Sequence, residues 1–131
     1  MQDDLGKLVL RVTLAALLLF HGTNKILTGL DGVTGLLGNA GLPAWLAYGA
    51  YVGEVLAPIL VLLGVFSRIG GALIAINMIV ALGLAHLGML LSVGQSGGYA
   101  IELQLFYLFG GVAVLLLGSG RCGLNIGGTW N

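Results

Sequence analysis

The sequence predicts an all-α integral membrane protein: four transmembrane helices in an up-down bundle, with a short interfacial helix between helices 1 and 2. Three observations carry that expectation. Of 131 residues, 58% are hydrophobic and only 8% charged, and the mean hydropathy is +1.06. A soluble domain carries about 25% charged residues, so this chain cannot cover a water-facing surface. Four apolar windows each reach the roughly 20 residues that a helix rising 1.5 Å per residue needs to cross about 30 Å of hydrocarbon. Finally, 24 glycines are scattered among Leu, Ile, Val and Ala, and small residues let helices in lipid approach closely.

The first window runs from about Leu5 to Leu27, and no small-residue cleavage pattern follows it, so it is expected to be retained as a helix. The second and third, about Ala44 to Phe66 and Ile69 to Leu91, are separated only by Ser67 and Arg68, which predicts a tight helical hairpin. The fourth runs from about Tyr99 to Leu117. Between the first two, Val33, Leu36, Leu37 and Ala40 follow the i, i+3, i+4, i+7 pattern of an amphipathic helix. That helix is expected to lie on the membrane surface as a lid. Residues 1–120 thus form a single transmembrane domain, and 121–131 a short cytoplasmic tail with Trp130 at the headgroups.

Lys and Arg set the orientation. Lys7, Arg11, Arg68 and Arg121 fall on one side of the arrangement and Lys25 near the other, which places both termini in the cytoplasm. At 1.5 Å per residue, His21 and Glu54 then lie roughly 20 to 25 Å from the cytoplasmic ends, His86 about 25 Å, and Glu102 a little higher. Four helices bring a polar group to nearly one layer in the outer half of the bilayer. Ionisable side chains in hydrocarbon are costly and usually face one another inside a bundle, so His21, Glu54, His86, Glu102 and Lys25 are the candidate catalytic residues.

Local spacing adds Tyr51 beside Glu54 and Tyr99 beside Glu102, each at i, i+3. Lys25 is expected to reach the outer interface or pair with Glu102. Pro58 cannot donate a hydrogen bond to the carbonyl of Glu54, which therefore needs another partner. Asn77 and Gln104 fall across their helices from His86 and Glu102, so both are read as structural, and Arg11, Arg68 and Arg121 as topology determinants.

The same residues constrain other chemistry. A single cysteine, Cys122, provides neither a CxxC pair nor an internal disulfide. No basic tract offers itself to nucleic acid. Two histidines and two carboxylates resemble metal ligands in type, and a histidine pair could hold a haem axially, but the Glu-x-x-His pattern of di-iron bundles is absent, so neither group is predicted.

The run Phe20-His21-Gly22-Thr23-Asn24-Lys25, Gly-Leu-Pro at 41–43, Gly53-Glu54, Leu63-Gly64-Val65-Phe66-Ser67-Arg68, His86, Gly98-Tyr99-Ala100-Ile101-Glu102 and Gly118-Ser119-Gly120-Arg121 together resemble the DoxX family over nearly the whole chain. The resemblance implies a four-helix protein of the prokaryotic cytoplasmic (inner) membrane. It also implies association with thiosulfate:quinone oxidoreductase, with membrane oxidoreductase complexes or with quinone detoxification. On that basis the expected function is a membrane oxidoreductase component that binds a quinone through the polar layer, with Tyr51 and Tyr99 giving hydrogen bonds or stacking surfaces. No flavin, nicotinamide or Fe–S fingerprint is present, so a redox partner protein or a bound reductant must supply electrons. A small-molecule or proton-coupled transporter and a non-catalytic scaffold for redox enzymes are the alternatives. The Gly- and Ala-rich faces predict a homo-oligomer or complex.

Overall fold

The computed structural model describes residues 2–83 and 102–131. Among them the chain is all-helical, with no strand and five helices: α1 (Gln2–Thr28), α2 (Asp31–Asn39), α3 (Ala44–Leu63), α4 (Ser67–Ala81) and α5 (Glu102–Leu117). Helices α1 and α3 are long and apolar enough to cross a membrane. The expected interfacial segment is indeed a short helix, α2. The parts of the third and fourth windows that held His86 and Tyr99 lie outside the described residues.

Helix α1 begins with Asp3 and Asp4 and ends with Lys25 in its last turn, each charge opposing the helix dipole at its end. Its buried stripe, Arg11, Leu14, Ala15, Leu18 and Gly22, repeats at helical spacing. Helix α3 is composite. A 3₁₀ segment, Ala44–Tyr48, follows Pro43; one regular turn leads into a π-helical segment, Val52–Leu56; and an α-helical half, Ala57–Leu63, completes it. The wide turn lies just before Pro58, with the Ala57 amide donating to the Val52 carbonyl five residues back.

Helix α1 runs antiparallel to α3 and α5, and α4 antiparallel to both, because Arg11 meets Val61 while Lys25 meets Glu54, and Arg68 meets Leu115 while Ala75 meets Gly111. Leu14, Ala15 and Leu18 of α1, Ala57 and Val61 of α3, Ile74 and Met78 of α4, and Tyr107 and Val114 of α5 form one core. Where α4 crosses α5 the backbones touch: a Cβ on Gly71 would sit 2.6 Å from the Gly111 carbonyl oxygen, and one on Gly111 2.7 Å from that of Gly71. Outside the core the surface is apolar, with Phe20, Leu27, Phe106, Phe109 and Leu116 all exposed. Such a surface suits lipid rather than water.

The end of the molecule that holds the α3–α4 hairpin is built around Arg11, which is 1% exposed. Its guanidinium donates to the carbonyls of Val61 (2.9 Å) and Leu62 (3.2 Å), in the last turn of α3, and to those of Ser119 and Cys122 (both 2.8 Å). Carbonyls at a helix C-terminus have no partner within the helix, so one side chain satisfies α3 and anchors the tail. Arg68 does the same for α5, donating to Leu115 and Leu116. Both therefore have a structural role beyond the topological one read from the sequence. The exposed Arg121 side chain only approaches Asp4, at 3.9 Å, while its backbone amide donates to Asp4 Oδ1 at 3.1 Å.

The tail folds back onto this end rather than extending from it. Phe66 donates to Ile126 (2.7 Å), Leu124 to Leu63 and Asn125 to Gly64, while Asn131 bonds to Ser119 and Ser67.

Arg11→Leu removes the four guanidinium bonds to Val61, Leu62, Ser119 and Cys122 and leaves those carbonyls without this donor. Hydrogen bonds from a charged donor are each worth about 1.5–3 kcal/mol net, and relief of the cation's own desolvation offsets much of their sum, so the substitution should destabilise the protein by on the order of 3 kcal/mol, measured as a lowered melting temperature in detergent. Proteolysis should release the tail first.

Candidate functional site

At the opposite end, α1, α3, α4 and α5 together with α2 line a partly open cavity of about 910 Å³. Most of its wall is aliphatic: Leu18, Leu42, Leu46, Val52, Leu73, Ile76 and Leu103, with Val33, Leu36 and Leu37 of α2 closing one side. Leu37 is buried, which holds α2 in place. The helix starts after Gly29 (φ +87°) and ends before Gly41 (φ +74°), left-handed residues where a side chain would be strained. The Leu42 amide returns to the Leu37 carbonyl at 2.8 Å, closing α2 in a Schellman-type turn.

Against this apolar background the polar side chains among the described residues are few: His21, Asn24, Lys25 and Thr28 of α1, Glu54 of α3, Asn77 of α4, and Gln104 and Tyr107 of α5. The central pair is Lys25 Nζ and Glu54 Oε2, 2.6 Å apart, with side chains 25% and 9% exposed. His21 lies one turn from Lys25 and meets the Tyr107 ring edge-on, centroids 5.8 Å apart and planes at 83°. Tyr51 does not line the cavity; its hydroxyl reaches toward the Lys25 carbonyl over a long 3.5 Å, and its ring packs near that of Tyr48.

Glu54 owes its position to the backbone. Pro58 deprives the Glu54 carbonyl of its usual donor, and that oxygen instead packs against Gly22 of α1; a Cβ on Gly22 would overlap it. Only glycine permits so close an approach, which brings α1 and α3 together just where Lys25 and Glu54 pair.

Of the residues selected from the sequence, the structure brings together His21, Lys25 and Glu54, with Tyr51 behind them. Glu102 opens α5, is exposed, and is not among the described residues lining the cavity. Lys25 accordingly pairs with Glu54 rather than Glu102. His86 and Tyr99 lie outside the described residues.

Five polar residues that the sequence reading gives a structural role or passes over line the cavity: Asn24, Thr28, Asn77, Gln104 and Tyr107. The angle between Asn77 and His86 on an ideal helix says nothing of which neighbouring helix Asn77 meets. The signal for that is Gly53. A Cβ on Gly53 would collide with the Asn77 side chain, lying 2.7 Å from its Oδ1.

Breaking one half of a buried ion pair leaves the other charge without compensation, whereas removing both need not destabilise. Lys25→Met and Glu54→Gln should therefore each lower thermal stability, and the double variant should recover part of the loss. The coupling in a double-mutant cycle is expected to be about 1 kcal/mol or more. Strictly additive effects would show that the pair is not formed.

Residues 6–87 match DoxX, a span that takes in α1, α2, α3 and α4. A Bacillus subtilis protein named "Putative oxidoreductase CatD" is 34% identical over 79 residues, which cover 60% of this chain and 58% of that protein, less than two thirds of its length. An uncharacterized protein of Haemophilus influenzae is 28% identical over 120 residues, 88% of this chain and 85% of the other. No solved structure matches the chain. With well over half its length following the family pattern and two helices fit to cross a bilayer, the chain belongs to the DoxX family.

Proposed function

We propose that the protein is the membrane component of an oxidoreductase that binds a quinone in the cavity beneath α2 and works with a redox partner protein. In this reading α1, α3, α4 and α5 form a four-helix transmembrane bundle in the prokaryotic cytoplasmic membrane, with both termini in the cytoplasm and the cavity in the outer half of the bilayer. The observation that carries the proposal is the Lys25–Glu54 pair, set in the wall of a cavity that is otherwise mainly aliphatic. Its volume of about 910 Å³ falls within the roughly 300–1,000 Å³ of small-molecule sites, which combine apolar walls with a few placed polar groups. The name of the CatD relative supports redox chemistry.

The residues present fit such a ligand. A quinone is a flat apolar ring with two hydrogen-bond acceptors, and it supplies an acceptor for two electrons and two protons. Lys25 keeps donors beyond the one it gives Glu54, and its charge favours negative charge on a nearby oxygen. His21 and Glu54 can hold and pass protons. The leucines, isoleucine and valines of the wall would shield a bound ring from water, with Leu36 and Leu37 of α2 on one side of it. Electrons enter from the partner protein or from a reduced substrate, since the sequence carries no flavin or nicotinamide fingerprint, cluster-type cysteine set or thiol pair.

The purified protein should bind decylubiquinone, and Glu54→Gln should lower quinone-dependent oxidoreductase activity of intact membranes by on the order of 100-fold, the contribution typical of a positioned acid–base group. Absence of quinone binding, together with undiminished activity in Glu54→Gln membranes, would overturn the proposal.

A further inference from the structure

Asn77 stands apart from the other polar residues of the cavity in how it is held. It lies on α4 between Ile76 and Met78, half-buried, and its side chain lies across the backbone of α3 at Gly53, the residue preceding Glu54. A Cβ on Gly53 would strike the Cβ, Cγ and Oδ1 of Asn77, so the absence of a side chain there makes the seat in which the carboxamide rests. Both Asn77 and Gly53 line the cavity together with Lys25 and Glu54. Among the described residues the Asn77 amide enters no hydrogen bond within the protein, whereas Lys25 and Glu54 are committed to each other.

The chemistry of the three groups differs in a way that matters for a ligand that changes redox state. A lysine ammonium only donates and an ionised carboxylate only accepts, but a carboxamide carries two N–H donors and a carbonyl acceptor, and half a turn of its terminal torsion exchanges them. Reduction of a quinone by two electrons and two protons converts each carbonyl oxygen, an acceptor, into a hydroxyl that also donates. A site furnished only with one-way partners favours one form and impedes release of the other. An amide that stays neutral can satisfy both.

Resting on the quinone reading above, we infer that Asn77 contacts the ligand directly and that its carboxamide, seated on Gly53, serves the oxidised and the reduced forms alike. Asn24 and Gln104 bring the same carboxamide to the cavity wall, but Asn77 is the one seated against Gly53 beside Glu54, and so the one held to keep the affinities for substrate and product comparable.

The test is to measure the affinity of the purified full-length protein for decylubiquinone and, under argon, for decylubiquinol. Asn77→Leu has nearly the same size but no polar group. Asn77→Ala removes the same amide without apolar bulk and is measured in parallel, so that a folding defect in one variant leaves the other informative. Loss of one hydrogen bond to a neutral ligand corresponds to roughly a 5-fold weakening, expected here for both forms, with little change in melting temperature. Unchanged affinity for either form overturns the inference, because the amide would then be dispensable to that form. Wild-type protein that binds neither form withdraws the quinone reading itself, whereas wild-type binding that both variants retain removes only the role of Asn77.

Discussion

The contact between the Glu54 carbonyl and Gly22 is the constraint around which the cavity-bearing half of the molecule is arranged. It originates in the ring of Pro58, which lacks the N–H that would have bonded that carbonyl. The backbone responds by widening into a π-helical segment over Val52–Leu56, and the freed oxygen turns to the adjacent helix, where glycine alone leaves room. Two consequences follow from the one substitution of proline for an ordinary residue. Helices α1 and α3 are drawn together at a defined height, and the register of α3 shifts so that Glu54 meets Lys25, while Gly53 on the same segment turns toward α4 and receives Asn77.

The two ends of the bundle solve the same problem differently. A helix end buried in apolar surroundings must find donors for its last carbonyls. At the hairpin end Arg11 and Arg68 supply them, and the tail fills the remaining space through backbone bonds to Leu63, Gly64 and Phe66. That end is closed and rigid. At the other end the described residues carry no comparable set of bonds; α2 spans it between two left-handed glycines, with the cavity beneath. The division of labour resembles that of many enzymes, in which a tightly bonded scaffold holds a site assembled where packing is incomplete.

Much of this could be read from the residues. Period and length placed α1, the short α2, the hairpin at Ser67 and Arg68, and the start of α3 after Pro43, because each depends on local pattern and on proline or glycine punctuation. That His21 and Glu54 line one cavity agrees with counting along helices, since depth is nearly a one-dimensional quantity; Glu102, which the same count puts in that layer, is exposed and does not line the cavity, and His86 lies outside the described residues. What could not be read was rotation. Which face of α4 meets α3 depends on ridge and groove packing and on the π-helical offset, neither of which a single helical wheel contains, so the wheel does not show that Asn77 meets Gly53 at the cavity. The tail was illegible for a related reason: its attachment runs through backbone carbonyls, which carry no side-chain signature, and through an arginine whose charge reads equally well as a topological signal.

Charge taken inside an apolar protein seldom adds stability, because desolvation offsets the Coulombic gain. Among the described residues Arg11 and the Lys25–Glu54 pair are such cases, and their surroundings distinguish their purposes. Arg11 is enclosed on all sides and spends its donors on four backbone carbonyls, so nothing remains to engage a ligand, and its burial is explained by the structure it secures. Lys25 and Glu54 cap no helix with their side chains, hold no loop, and face an open cavity with donors and lone pairs to spare. A pair of leucines would pack that position at least as well. An ion pair retained where aliphatic residues would serve the fold equally is best explained by what enters the cavity, which is why the functional reading rests on these two residues and not on the more deeply buried arginine.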